Sequence, residues 1–143
     1  MRRLIPFLAL GLIGAPALAQ ETVSLRCTVT SKSWTWVKGE LTSAPTGPFL
    51  PVELNFDITG RRAVSVEAWP KRGEPNLWTV DASQGFYILH RSEKQNPMVE
   101  SFSARIDRAT GIYTLDVTVV QGIMRSVHKT EGPCEKREPN NKF

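Results

Sequence analysis

The chain is poor in the residues that organise chemistry. Its 143 residues include only two cysteines and two histidines. The cysteines, Cys27 and Cys134, lack C-x-x-C spacing, which argues against a closed zinc site, and no metal or cofactor is expected. There is no G-x-S-x-G elbow to present a nucleophilic serine. His90 and His128 sit in strand-like text with no acid or base at a spacing that makes a catalytic pair. Glu53, Asp57 and Glu67 lie on neighbouring candidate strands, but on the polar face, where carboxylates are ordinarily solvated, and Asp81 and Asp107 read as turn residues. No enzyme activity is expected. Also missing is any later apolar run long enough to cross a bilayer as a helix, any stretch with amphipathic-helix periodicity, and any block of like charge.

What stands at the start is an export signal. Arg2 and Arg3 precede an apolar run from Leu4 to Ala15, and Ala17-Leu18-Ala19 forms an A-x-A site before Gln20. Residues 1–19 are therefore expected to be a signal peptide, residues 20–134 a single domain, and residues 135–143 a mobile polar tail. Removing the leader takes away two of the 18 Lys and Arg residues and no acid, leaving 16 cations against 14 anions, so the formal charge falls from +4 to +2. A basic balance that rests partly on a discarded leader does not point to nucleic acid. A periplasmic or secreted location follows, and in an oxidising compartment Cys27 and Cys134 pair by default. The bond closes a loop of roughly 107 residues, for which chain entropy gives about 4–5 kcal/mol of stabilisation.

The rest of the mature sequence alternates. Val23, Leu25, Cys27 and Val29 separate from Ser24, Arg26, Thr28 and Thr30, and Val52, Leu54, Phe56 and Ile58 separate from Glu53, Asn55 and Asp57. Ser33–Val37 forms a short aromatic run with Trp34 and Trp36 on one face. Glu40–Pro51, with three prolines and a glycine, reads as a loop. In Ala63–Trp69 the pattern places Val64, Val66 and Ala68 inward and Ser65, Glu67 and Trp69 outward. Leu77–Val80 and Gly85–His90 make a hairpin around Asp81–Gly85. The clearest hairpin is Phe102–Ile106 with Tyr113–Val119, in which Asp107 accepts from the following amides and Gly111 takes a positive φ. A last strand begins near Ile123. Eight or nine short strands whose ends are stapled together predict an all-β fold, a small antiparallel up-and-down barrel, with a β-sandwich as the alternative. Leu25, Leu54, Phe56, Phe102, Tyr113 and Leu115 are expected to fill it.

The pattern I-D-R-x-T-G-x-Y over Ile106–Tyr113, followed some twenty residues on by Gly132-Pro133-Cys134, resembles small exported proteobacterial β-proteins of unassigned function. In size, barrel architecture and disulfide the chain also resembles periplasmic inhibitors of c-type lysozyme. Trp69, Lys71, Arg72 and Trp78 form the candidate binding cluster, since tryptophan beside basic residues suits a sugar ring or a partner protein. The expected function is that of a non-catalytic exported domain binding a protein or cell-envelope component. One alternative is a lysozyme-type inhibitor acting through a rim loop, Pro70–Pro75 or Thr42–Pro51. Another is a carrier of a small apolar ligand, if the interior is hollow.

Overall fold

The structure, a computed structural model, describes residues 20–91 and 98–138. The leader expected at residues 1–19 lies outside them. Nine antiparallel strands follow one another: β1 (Thr22–Val37), β2 (Glu40–Ser43), β3 (Val52–Thr59), β4 (Arg62–Trp69), β5 (Asn76–Ala82), β6 (Phe86–Arg91), β7 (Val99–Asp107), β8 (Ile112–Gln121) and β9 (Met124–Lys136). Each of β3 to β8 pairs with its successor, β1 pairs with both β3 and β9, and β2 hangs on the far end of β1. Eight strands thus close on themselves, and the sandwich alternative falls away. Closure removes the free edges a meander would leave. Eight strands also give an interior that side chains alone can fill.

Period-two alternation places Leu25, Cys27, Val29, Phe56, Ile58, Trp78, Val80, Leu89, Ile106 and Tyr113 in that interior, all at most 8% exposed. Phe56 and Tyr113 meet at the centre with ring centroids 5.3 Å apart. Phe102 is 37% exposed, so it covers Trp78 from the rim instead of filling the middle. Three connections are two-residue hairpin loops whose glycines supply the positive φ that such turns demand: Lys38-Gly39, Gly60-Arg61 and Gly122-Ile123.

Several expectations are corrected. The runs Val23–Thr30 and Ser33–Val37 belong to one 16-residue strand, because β9, 13 residues long, pairs along nearly all of it. The second half of β1, beyond the last β3 partner at Val29, continues with β9 as a ribbon. Residues 40–43, read as loop, pair as β2 with the ribbon's tip. In β4 the faces are inverted. The Gly60-Arg61 loop pairs Ile58 with Ala63 and Phe56 with Ser65, so Ala63, Ser65 and Glu67 share the lumen face and Val64 is exposed. A bulge opposite Glu53 and Leu54 then pairs Trp69 with Glu53 on the outside.

The seam between β1 and β9 is stapled by Cys27–Cys134, which face each other across the ladder. Strand β9 runs past the domain boundary expected at Cys134. The backbone N–H of Arg137 donates to Ser24 O at 3.0 Å, and its Nη2 donates to both carboxylate oxygens of Asp57 at 2.8 and 2.9 Å. Residues 139–143 of the expected tail lie outside the described residues.

Candidate functional site

Up-and-down topology puts alternate connections at opposite ends. One end carries the β1–β2 turn, the 44–51 and 70–75 loops and the β8–β9 turn; the other carries the hairpin turns at 60–61, 83–85 and 108–111. At the loop end, Trp69 closes β4 at 50% exposure, its peptide bond to Pro70 is cis, and Lys71 and Arg72 are exposed beside it. Trp78 does not join them. It is 7% exposed, its indole N–H donates to the buried Ser65 hydroxyl at 2.8 Å, and it stacks on Phe102 at 5.9 Å. The four-residue cluster is thus three surface residues and one core residue.

Trp69 shares its end of the barrel with exposed apolar surface that alternation alone does not reveal. Leu41, Phe49, Leu50, Met98 and Ile123 are each between 37% and 76% exposed there. Phe49 and Leu50 stand on the proline-rich 44–51 loop, and the Phe49 ring lies under the Lys32 ammonium at 5.4 Å. The β1–β2 and β8–β9 turns are tied together by Lys38 N–H donating to Ile123 O at 2.9 Å. Register sets Leu41, Trp36, Arg125 and Val120 in one row across the ribbon, and Trp34, Val127 and Thr118 in the next. Alternation along Ser33–Val37 does put Trp34 and Trp36 on one face, where both are half-buried, while Ser31 and Ser33 on the opposite face are exposed.

At the turn end, the I-D-R-x-T-G-x-Y pattern resolves into closure chemistry. Asp107 Oδ1 accepts from the amides of Ala109 and Thr110 at 2.8 and 2.9 Å, which, with Arg105 nearby, holds its carboxyl below the ordinary 3.8. Arg108 pins this turn to the neighbouring hairpin: its N–H donates to Gly85 O, its Nη1 donates to Ser83 O at 2.7 Å, and its guanidinium lies 5.0 Å over the Tyr87 ring. Gly111 sits at φ 71° against the Cys134 carbonyl, to which a Cβ would come within 2.9 Å. Gly132 is tighter still, since a Cβ there would lie 2.0 Å from Thr28 O. Below Arg108 a cavity of about 360 Å³ opens into the lumen.

The acid–base candidates are dispersed. His90 bonds Asp81 at 3.0 Å on the outer wall, where Asp81 also receives Arg61 at 2.9 Å. Asp81 is therefore a strand residue in an ion network, and Ser83 makes the turn assigned to it, accepting from Phe86 N–H at 3.0 Å. Glu53 and Asp57 meet Arg26 and Arg137 outside the barrel, whereas Glu67, expected beside them, is on the lumen face. His128 pairs across the ribbon with Ser33 and Val117 and is exposed. Among the described residues, no three His, Cys, Asp or Glu side chains gather as a metal site, and no helix is long and apolar enough to cross a membrane.

The geometry defines a disulfide-closed, eight-stranded antiparallel barrel with one extra strand, β2, on the end of β1. No protein-family model, curated protein or solved structure matches the chain.

Proposed function

We propose that this chain is a non-catalytic domain, exported to the periplasm or secreted, that docks a protein or cell-envelope component through the loop end of its barrel. The observation that carries the reading is the gathering of exposed apolar side chains at that end. Of the eleven exposed large hydrophobics among the described residues, six (Leu41, Phe49, Leu50, Trp69, Met98 and Ile123) belong to its loops and strand ends. A soluble surface disperses such residues unless something covers them. Lys71 and Arg72 add cations beside Trp69, the combination common at interface anchors. The leader pattern of residues 1–19 supports export, as does the Cys27–Cys134 bond, which suits an oxidising compartment.

The test is capture of envelope extract on immobilised protein, comparing wild type with Trp69→Ala combined with Leu50→Ala. Loss of a saturable partner in the double variant supports docking at this end; equal capture by both rejects it.

A second reading is favoured by the 44–51 loop. Pro48 and Pro51 stiffen a tip on which Leu50 is 76% exposed, a shape suited to entering a foreign cleft, and the resemblance to lysozyme inhibitors points the same way. Mixing purified protein with c-type lysozyme decides it: stoichiometric loss of lytic activity, restored by Leu50→Asp, supports inhibition, and unchanged lysis removes it.

A further inference from the structure

The middle of the barrel is packed, but the turn end of its lumen is not. Val23, Leu25, Tyr87, Ile106 and Cys134 wall the 360 Å³ cavity there, which falls within the roughly 300–1,000 Å³ range of small-molecule sites, and barrel mouths are a common place for them. Charge enters only at the rim. Lys136 stands opposite Leu25 in the β1–β9 ladder, so it faces the lumen. Arg108 roofs the Tyr87 ring and donates one bond to Ser83 O; a guanidinium has five N–H groups, which leaves donors for a guest. Glu21 shares the inward period of Val23 and Leu25. Asp107 also lines the cavity, with its carboxylate held by the amides of Ala109 and Thr110. The lining thus carries two cations and two carboxylates, one of which, Asp107, is spent on backbone amides, above an apolar and aromatic floor.

We infer that this mouth binds a small amphipathic anion, whose apolar or aromatic body enters between Val23, Tyr87 and Ile106 while its acidic head meets Lys136 and Arg108. The site lies at the opposite end of the barrel from Trp69 and stands independently of the docking reading.

Two probes that differ only in the head group test it: 1-anilinonaphthalene-8-sulfonate and its neutral counterpart, N-phenyl-1-naphthylamine, each titrated into the purified, oxidised protein by fluorescence and calorimetry. The expected result is saturable binding of one sulfonate per chain, about tenfold or more tighter than the neutral amine, as a charge-assisted bond implies. Lys136→Gln should cut that preference several-fold while leaving the neutral probe unchanged. Val23→Trp should block both by filling the mouth, and Trp69→Ala should affect neither. Equal affinity for the two probes, no saturable binding, or a sulfonate site that survives Lys136→Gln and disappears with Trp69→Ala would overturn the inference. Lys136 is exposed, so its variant is expected to fold and keeps the test decisive even if Val23→Trp does not.

Discussion

Gly132 shows how little a single position can tolerate. Its backbone presses on Thr28 and Val29, with no room for a Cβ on that side, so Gly132→Ala must push the β1–β9 seam apart; a loss of about 3 kcal/mol or more is expected in urea unfolding. Ser65 is costly for the opposite reason, that something is missing when it goes. Ser65→Ala strips the buried Trp78 indole N–H of its acceptor, and about 1–3 kcal/mol should disappear from the same measurement. Two titrations frame the pH range of stability. Burial pushes the Tyr113 hydroxyl up to about 12 from 10.0, so the folded state favours the neutral form. Its contribution is complete below pH 10 and drains away as pH rises towards 12, about 2–3 kcal/mol in all. Absorbance at 295 nm should therefore show one of the two tyrosines ionising only as the chain unfolds. Asp107 works with the opposite sign. Its depressed carboxyl contributes above the ordinary 3.8 and fails as acid takes pH below it. Asp107→Asn should accordingly flatten the acid limb of stability against pH, seen in thermal melts from pH 5 to pH 2.

Among the elements, β9 and its continuation make the clearest prediction. Arg137 is 12% exposed at its side chain and Asp57 32%, and the guanidinium bridges over Ser24 to reach it. Arg137→Ala should cost about 1–2 kcal/mol, less than a fully buried pair would, and should free the last residues of β9 to exchange their amides. The same elements explain what could be read from the sequence. The β7–β8 hairpin was legible because alternation and turn chemistry agree: Ile106 and Tyr113 pair inward while Asp107 and Gly111 shape the loop. In β4 these signals conflict. Val64, Val66 and Ala68 form the more apolar set, yet the Gly60-Arg61 loop fixes a register that turns Ser65 and Glu67 inward, and Trp78 supplies the reason a serine is welcome there. Strand β1 concealed its length because the face that carries Leu25, Cys27 and Val29 changes chemistry halfway, to Ser31, Ser33 and Thr35. The hydroxyls of the second half bond across to β9, Ser31 with Thr130 at 2.7 Å and Thr35 with Ser126 at 3.2 Å. Of the binding cluster, the exposure of Trp69 was readable from the strand end before Pro70. The turn-end cavity was not, since it depends on Tyr87 meeting Ile106 across β6 and β7.

For the molecule as a whole, the Cys27–Cys134 bond sets the stability. Replacing both cysteines by serine should lower it by about 4–5 kcal/mol on chain-entropy grounds, measured as an earlier urea midpoint that reducing agent reproduces in the wild type but does not shift further in the variant. The seam it staples also imposes an order of events. Strands β3 to β8 make only neighbour-to-neighbour hairpins, which can form as they appear, but the first strand finds its second partner 107 residues later. Until β9 reaches β1, the sheet has two unsatisfied borders and no sealed lumen. A barrel whose two most distant strands form its last seam stays open until they meet, and it locks when their two sulfurs are oxidised together.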